Sequence, residues 1–380
     1  MDHDSLRILC ISYEYPPIGG GGATVCKQIA ETLVSNGHKV DVVTSGIPDL
    51  PEKEVIDGVA VHRVPCIRRN TNHATAAELA TQVLPSIRKS NELISDSRPD
   101  LIHCHFIVPS GLVAWRVGTR WKVPYILTAH GSDVAGYNPE RFEAMHTLIR
   151  PVWRRIVNGA AAVTAPSQFL IDLIQKVETR NVELIPNGFK LPELPDLERK
   201  RQILMVSRIV ERKGLQHLIE ALSGMQTDWK LVVAGDGPYL ATARAQADRL
   251  NLDVEFLGMV DRDRLAELYA SSSVFAFPSM RENFPMVVLE AMAAGCAVVT
   301  TDADGCREAA GDAAMFCRAG DAEDLRRVLT RLVENEEERD KLRDRALARA
   351  KKFSIGEITA DYEKLFAAVA QGSGTQRDGG

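Results

Sequence analysis

Two glutamates in one apolar segment, Glu282 and Glu290, have the clearest potential for chemistry in this chain. Glu282 lies in the loop after a predicted strand, and Glu290 lies in the helix that follows, where most neighbouring residues are apolar. A carboxylate in such surroundings needs a hydroxyl or cationic partner. Vicinal ribose hydroxyls meet that need, and backbone N–H groups at the helix start would meet phosphate or sugar oxygens.

Two cations follow another predicted strand in the same half of the chain. Arg208 comes directly after the strand, and Lys213 precedes Gly214 at a predicted helix start. An arginine fork and a lysine point charge beside a helix N-terminus can clamp a diphosphate. Taken alone, this spacing is more typical of a solvated charge pair.

Gly19, Gly20, Gly21 and Gly22 separate the first predicted strand from the first predicted helix. A glycine run at this junction lets backbone N–H groups approach an anion that the helix N-terminus also favours. A nicotinamide dinucleotide is disfavoured, because residue 25 is valine where G-x-G-x-x-G needs glycine, and no acidic residue ends the second strand. The structural alternative is a tight turn.

Histidines end two further predicted strands. His130 is followed by Gly-Ser and then Asp133 at a strand tip, where an imidazole and its backbone can face a ligand. The alternative is a histidine that is hydrogen-bonded in the core. His103 and His105 share one face of the strand 101–105, but no third ligand with metal-like spacing accompanies them. We therefore interpret this pair as hydrogen-bonding groups.

Two successive runs of alternating apolar strands and helices must position these residues. This alternation is typical of an α/β protein with doubly wound parallel sheets covered by helices. Breaker residues separate the two runs. We predict an N-terminal Rossmann-like domain over residues 1–188, a hinge over 189–200, a second such domain over 201–352, a C-terminal helix over 353–370 and a disordered tail over 371–380. Ligands are expected where the carboxyl ends of the strands face a cleft between the domains.

Composition excludes several classes of protein. The 380 residues are 45% hydrophobic and 26% charged, as in ordinary globular proteins, and their net charge of -5 argues against a nucleic-acid partner. The seven cysteines are widely spaced and form no C-x-x-C pair, which favours reduced thiols in a cytoplasmic protein. We expect no signal peptide, and no apolar run approaches the roughly 18 residues of a spanning helix. Peripheral contact with the inner membrane face stays open.

Five motifs, in this order and across both predicted domains, resemble the retaining nucleotide-sugar glycosyltransferases of GT-B architecture, namely family 4 and the group 1 glycosyl transferases. They are the glycine-rich first loop, the strand end from His130 to Asp133, the Ser-Arg-x4-Lys-Gly junction, the turn that contains Gly235 and Gly237, and Glu282-x7-Glu290. The resemblance covers nearly the whole chain. It implies two Rossmann-like domains that face each other across a cleft, the first on the acceptor side and the second binding the donor. It also implies a C-terminal helix that crosses back to the first domain, which residues 353–370 could form.

The resemblance also implies residue roles. Arg208 and Lys213 would bind the donor diphosphate, and Glu290 would bind the ribose. Glu282 would bind the donor sugar, and His130 would lie beside the sugar that is transferred. The other substrate contacts that we expect are Gly19, Gly20, Gly21, Gly22, His105, Asp133, Gly235, Gly237, Met259, Val260, Asn283, Phe284, Pro285 and Met286, with Met259 and Val260 at the nucleobase.

The implied reaction moves a hexosyl or N-acetylhexosaminyl unit from a UDP- or GDP-linked donor to a hydroxyl acceptor, with retained configuration and without a metal or other cofactor. Stabilisation of charge on the leaving diphosphate would supply most of the catalysis. Two alternatives stay open: a nucleotide-sugar epimerase or hydrolase of the same architecture, and an inactive sugar-nucleotide-binding module. The sequence leaves the donor and acceptor open, within the synthesis of cell-envelope polysaccharides or glycolipids.

A basic and apolar stretch over residues 148–157 bears on the acceptor. Arg150, Arg154 and Arg155 stand beside apolar residues and Trp153. This composition suits an interfacial helix on anionic lipid, and hence a lipid-linked acceptor. The alternative is an ordinary helix that packs on its own sheet.

Overall fold

The chain forms two compact units in the computed structural model, which describes residues 5–69, 74–137, 139–191 and 193–374. Unit 1 comprises Met1–Gly188 together with Ile355–Gly380, and unit 2 comprises Phe189–Ser354. Residues 189–200, for which we predicted a hinge, are grouped with unit 2.

Unit 1 is built on an eight-stranded sheet. Its elements are β1 (Arg7–Ile11), α1 (Gly21–Ser35), β2 (Lys39–Ser45), β3 (Lys53–Ile56), β4 (Val59–Val64), α2 (Ala76–Thr81), α3 (Val83–Asp96), β5 (Leu101–His105), α4 (Ser110–Trp121), β6 (Tyr125–Thr128), α5 (Pro139–Gly159), β7 (Ala162–Ala165), α6 (Gln168–Val177) and β8 (Glu183–Leu184). The strand order is β3-β4-β2-β1-β5-β6-β7-β8. The pairs are parallel except that of β3 with β4. The apolar runs of β5 and β6 are buried throughout, as helices on both faces of a parallel sheet require.

Strand β3 has no counterpart in the sequence prediction. It lies at the sheet edge, antiparallel to β4, and its residues alternate between exposed and partly buried. Val55 is 68% exposed. An edge strand needs no continuous apolar run, so the pattern that predicts the central strands does not detect it.

Unit 2 is a second parallel α/β unit. Its elements are β9 (Lys200–Val206), a 3-10 turn (Glu211–Lys213), α7 (Leu215–Ser223), β10 (Lys230–Ala234), α8 (Leu240–Arg249), β11 (Val254–Gly258), α9 (Arg262–Ser271), β12 (Ser272–Phe277), α10 (Met286–Ala293), β13 (Ala297–Thr301), α11 (Asp304–Ala310), β14 (Met315–Cys317), α12 (Ala322–Glu334) and α13 (Glu336–Lys351). The strand order is β11-β10-β9-β12-β13-β14. The direction of winding changes between β9 and β12, and ligands of open α/β sheets bind at the carboxyl ends of such strands.

The last helix, α14 (Ile355–Gly374), packs within unit 1. Tyr362 and Phe366 are buried beside the ring of His103 on β5, and the hydroxyl of Tyr362 lies 3.2 Å from Oγ1 of Thr128 on β6. Residues 371–374, which we predicted to be disordered, are helical. The rest of the predicted tail, residues 375–380, lies outside the described residues.

The basic stretch 148–157 lies in α5 and packs against its own unit. Trp153 is only 2% exposed, and its indole N–H donates to the carbonyl of Asp133 at 3.0 Å. At Trp153 the structure therefore supports the ordinary packed helix rather than an interfacial one. Leu148 and Val152 are the apolar side chains that α5 exposes among those described. No helix in the described ranges is long and apolar enough to cross a membrane.

Candidate active site

Lys213 and Glu282 form a buried ion pair in unit 2. Lys213 ends the turn after β9, and Glu282 lies in the loop after β12, the strand beside β9. Nζ of Lys213 lies 2.5 Å from Oε1 of Glu282, which also accepts a hydrogen bond from the hydroxyl of Ser279 at 2.5 Å. Glu282 is only 8% exposed. The structure therefore brings two predicted ligand contacts together, and each compensates the charge of the other.

Two glycines, Gly235 and Gly237, fix the backbone on either side of Arg208. Gly235 has φ +133°, and a Cβ there would lie 1.8 Å from the carbonyl oxygen of Ser207. A Cβ on Gly237 would lie 2.3 Å from the carbonyl oxygen of Ile209. The segment 235–237 therefore packs closely against the segment 207–209, and the side chain of Arg208 between these contacts is exposed. Both glycines were predicted as substrate contacts, and the structure shows that they are required by the close approach of two backbone segments.

Glu290 lies on α10 with an internal hydroxyl partner. The hydroxyl of Tyr269, a buried residue of α9, donates to Oε2 of Glu290 at 3.0 Å. Burial raises the pKa of Glu290, and the hydrogen bond from Tyr269 only partly offsets this effect. Burial and the adjacent carboxylate likewise raise the pKa of Tyr269. Spacing along the sequence gave no signal for Tyr269, because it belongs to a different helix.

The start of α10 is held by the loop before it. The helix begins at Met286, and Pro285 is the residue that precedes its first turn. Asn283 and Phe284 are buried, and a Cβ on Gly305 of α11 would lie 2.3 Å from the carbonyl oxygen of Asn283. The first N–H groups of a helix have no partner within it. This fixed loop therefore presents the α10 N-terminus as a site for phosphate or sugar oxygens.

An apolar surface follows β11 in the same unit. Met259 is 77% exposed, and Val260 beside it is partly buried. A single exposed apolar side chain is common on proteins. At the end of a strand next to the loops described above, it can also pack against a planar base.

The glycine run of unit 1 lies against His130. A Cβ on Gly22 would lie 2.6 Å from Cζ of Phe106 and 3.4 Å from Cγ of His130. The rings of Phe106 and His130 are 4.4 Å apart. Gly20 and Gly21 are exposed, and α1 begins at Gly21. The structure thus places the predicted anion loop and the predicted histidine side by side, with Phe106 as a neighbour that the sequence did not indicate.

An internal carboxylate also lies at this loop. The side chain of Glu14 accepts a hydrogen bond from the backbone N–H of Gly20, and Nη2 of Arg68 lies 3.3 Å from its Oε1. Burial raises the pKa of Glu14, while Arg68 opposes the rise. Gly19 must be glycine here, since its φ is +105° and a Cβ would lie 2.6 Å from Glu14. Sequence reasoning missed Glu14.

His105 and Asp133 position His130. Nδ1 of His105 lies 3.0 Å from Nε2 of His130, and His105 is fully buried. The carboxylate of Asp133 accepts hydrogen bonds from the backbone N–H groups of His130 at 3.0 Å, Gly131 at 2.8 Å and Ile107 at 2.7 Å. Both residues were predicted to contact substrate. Both are buried, and each is bonded to His130 within unit 1.

The surroundings of His130 favour the neutral form of its imidazole. Burial and the neighbouring His105 lower the pKa of His130 well below its usual range. A neutral ring can donate from one nitrogen and accept at the other.

Acidic pairs with Asp-x-Asp spacing have structural uses here. Asp261 and Asp263 form one such sequence pair. The carboxylate of Asp261 caps α9 by accepting a hydrogen bond from the backbone N–H of Arg264 at 2.8 Å. The carboxylate of Asp302, paired with Asp304, accepts the backbone N–H of Ala319 at 3.1 Å. Within the described ranges, the one group of three His, Cys, Asp or Glu side chains close enough to share a cation lies elsewhere, in unit 1.

Two family models match the chain in succession. Residues 19–191 match the model of glycosyltransferase family 4, and residues 190–349 match that of the glycosyl transferases group 1. An uncharacterised glycosyltransferase of Methanocaldococcus jannaschii is 31% identical over 329 residues, which are 80% of this chain and 82% of the relative. The N-acetyl-alpha-D-glucosaminyl L-malate synthase of Bacillus anthracis is 25% identical, over 93% of this chain and 94% of the relative.

Solved structures share the fold over nearly the full length. The Anabaena protein HepE, solved in complex with UDP-glucose, superposes with a TM-score of 0.76 at 20% identity. The match covers 96% of this chain and 100% of that one. At this identity the likeness concerns the fold, which is the GT-B arrangement of two parallel-sheet α/β domains.

Proposed function

Because this chain belongs to the glycosyltransferases of the group 1 and family 4 type, we propose that it transfers a hexosyl or N-acetylhexosaminyl unit from a UDP- or GDP-linked donor to a hydroxyl acceptor, with retention of configuration. The observation that carries the proposal is the pair of partnered carboxylates in unit 2. Glu282 lies at the start of α10 against Lys213, and Glu290 lies on the helix itself against Tyr269.

The donor would bind at the carboxyl ends of the unit 2 strands. Arg208 and Lys213 would contact the diphosphate, and the α10 N-terminus would add its dipole. The free oxygen of Glu290 would accept from the ribose hydroxyls. The complex of HepE with UDP-glucose supports a nucleotide-sugar donor. The name of the Bacillus anthracis synthase supports an N-acetylhexosaminyl donor as an alternative to a hexosyl one.

The proposed chemistry is a displacement on one face of the sugar. The bond from the anomeric carbon to the diphosphate breaks, and the departing phosphate oxygen takes the proton of the acceptor hydroxyl. The new glycosidic bond then forms on the face that the diphosphate leaves, which retains the configuration. Cations and helix dipoles aimed at the leaving diphosphate stabilise the charge that develops there.

We propose that the reaction needs no metal. The Asp-x-Asp pairs of unit 2 that the structure describes are used in a helix cap and in a loop hydrogen bond, and the diphosphate charge can be met by Arg208 and Lys213. The acceptor would be selected by loops of unit 1. Leu148 and Val152 with Arg150 remain as an exposed surface through which a lipid-linked acceptor could be approached.

One experiment tests the class of reaction and its stereochemistry. UDP- and GDP-linked hexoses and N-acetylhexosamines are screened for a rise in the melting temperature, since a ligand at 100 times its Kd adds about 2.7 kcal/mol of stability. The stabilising donor is then incubated with excess EDTA, with and without an acceptor extract, and the product is examined by NMR. We expect acceptor-dependent turnover and an anomeric configuration equal to that of the donor. Turnover that is equal without acceptor would indicate a hydrolase or epimerase, and loss in EDTA with rescue by Mn²⁺ would contradict metal independence.

A further inference from the structure

Three metal-ligating side chains from three elements meet in the core of unit 1. Cys10 belongs to β1, Cys26 to α1 and His105 to β5. One ligand atom of each lies within 4.8 Å of the other two, and the sulfurs of the two cysteines are 3.5 Å apart. At most 2% of any of these residues is exposed.

His105 interacts with both His130 and Cys26. Its Nδ1 bonds to Nε2 of His130, and its Nε2 is buried without a hydrogen bond of ordinary geometry. A buried polar atom without a partner is costly, and native structures rarely leave one unexplained. Nε2 is the atom of His105 that would complete a ligand set with the two sulfurs.

The donor atoms select the kind of cation. Two sulfurs and one imidazole nitrogen, without oxygen, suit a soft or borderline ion of the zinc type. The two thiolates would neutralise a divalent charge, so the loaded site would bury no net charge. Two sulfurs on one tetrahedral zinc lie about 3.8 Å apart, given Zn–S bonds of about 2.3 Å, and the present 3.5 Å needs little adjustment.

We propose that Cys10, Cys26 and His105 bind one zinc ion in the core of unit 1. The ion would tie β1, α1 and β5 together beneath the glycine run. A zinc-binding histidine usually donates its other ring N–H to a neighbour. Here Nδ1 of His105 would donate to Nε2 of His130, which fixes His130 as an acceptor at that nitrogen. The three protein ligands would leave one position of a tetrahedral zinc to a further small ligand. The site does not depend on the proposed transfer of sugar.

Metal analysis of the full chain tests the site. The protein is produced in zinc-supplemented minimal medium, purified without chelator or nucleotide, and assayed for zinc by plasma mass spectrometry. We expect one zinc per chain in the wild type and almost none in Cys10→Ala and Cys26→Ala. Two controls should keep the zinc: Cys104→Ala, which removes an equally buried thiol on β5, and Cys66→Ala, which removes a partly exposed one.

A second measurement needs no variant and therefore survives a folding defect. X-ray absorption of the zinc-loaded wild type should show a first shell with two sulfurs at about 2.3 Å and at least one nitrogen. Three results would each overturn the site. They are a purified wild type that contains no zinc, a first shell of only nitrogen and oxygen, and a loss of zinc in Cys104→Ala equal to that in Cys10→Ala. Because no donor is present in either measurement, these outcomes leave the proposed function untouched.

Discussion

At the scale of single residues, the candidate donor site satisfies its own carboxylates before any ligand arrives. Lys213 and Ser279 contact Glu282, and Tyr269 contacts Glu290. A preorganised polar group needs little rearrangement when charge develops on a ligand. The same contacts lower the cost of burying two acidic groups in apolar surroundings.

Glu290→Gln should stabilise the free protein and weaken donor binding. Burial raises the pKa of Glu290 in the folded state, so the folded chain binds this proton more tightly than the unfolded chain, whose ordinary pKa is 4.5. The free energy of unfolding of the wild type therefore falls as pH rises from that value through the folded pKa. The glutamine variant lacks this fall, so it should be more stable at pH 7 and indistinguishable at acid pH below the ordinary value.

Urea unfolding over a pH series checks the stability, and donor titration checks the affinity. The lost charged hydrogen bonds should cost about 1–3 kcal/mol of donor binding. A stability difference that does not change with pH would show that burial of the charge is not its cause.

Lys213→Ala and Arg208→Ala should have similar effects on turnover and different effects on stability. The first leaves the carboxylate of Glu282 buried without its cation, which costs about 3–5 kcal/mol in a buried pair. The second removes an exposed side chain, for which a change within about 0.5 kcal/mol is usual. Both should lower turnover more than donor affinity, because the diphosphate charge grows in the transition state.

Chemical unfolding and steady-state kinetics separate these effects. Lys89→Ala is the control, since it breaks a surface pair with Glu92 in unit 1. Such a pair contributes at most about 1 kcal/mol. Unchanged turnover in both cation variants would remove Arg208 and Lys213 from the diphosphate.

Sequence reasoning selects residues by their spacing along the chain, and it does not detect residues that meet them only in space. Glu282 and Glu290 lie eight residues apart in one segment, so their spacing is visible in the sequence. Tyr269, Phe106 and the two cysteines beside His105 come from other elements, and no spacing along the chain relates them to the site. Sequence reasoning likewise did not predict that His105 and Asp133, which were expected at the substrate, are buried. Burial of a side chain at a strand end depends on what packs over it.

At the scale of elements, two neighbouring glycines at the start of α1, Gly21 and Gly22, have different surroundings. Gly21 is open, with no heavy atom within 4 Å of an added Cβ. Gly22 lies against Phe106 and His130, where an added Cβ would meet Cζ of Phe106 at 2.6 Å. One position therefore leaves open space beside the backbone, and the other packs closely on a phenylalanine and a histidine.

Gly22→Ala should lower turnover while Gly21→Ala has a much smaller effect. The new methyl must displace the Phe106 ring and with it the ring of His130, and a displacement of about 1 Å can cost 100-fold in rate. Both variants place alanine in the first turn of the same helix, so their helix propensities match. Kinetics with saturating donor measure the contrast, and circular dichroism checks that both fold. Equal losses in the two variants would show that any Cβ in this run is harmful and that His130 is not the cause.

The strands were predictable as elements because central parallel strands carry continuous apolar runs. Strands β5 and β6 carry such runs and are buried throughout. The edge strand β3 carries no such run. Hydrophobic periodicity reports burial, so it detects the middle of a sheet better than its edge.

At the scale of the whole molecule, chain order and structural units differ. The last described helix follows unit 2 in sequence and is grouped with unit 1. Its amphipathic pattern alone predicts a buried face but not the surface that covers it, because a helix stripe can pack on either sheet; only the family resemblance suggested a return to the first domain. Tyr362 and Phe366 supply the answer only when their contacts with His103 on β5 are seen.

Phe366→Ala should therefore loosen unit 1 and leave unit 2 protected. Phe366 is fully buried, and truncation of a buried phenylalanine costs about 3–5 kcal/mol through lost transfer energy and the cavity left behind. Hydrogen exchange should rise in α14, β5 and β6, while β9, β10 and β12 keep the protection of the wild type. Phe275→Ala, an equally buried residue of β12, is the matched control and should give the opposite distribution. If either variant opens both sheets to the same extent, the two units unfold as one cooperative body, and the assignment of α14 to unit 1 has no energetic meaning.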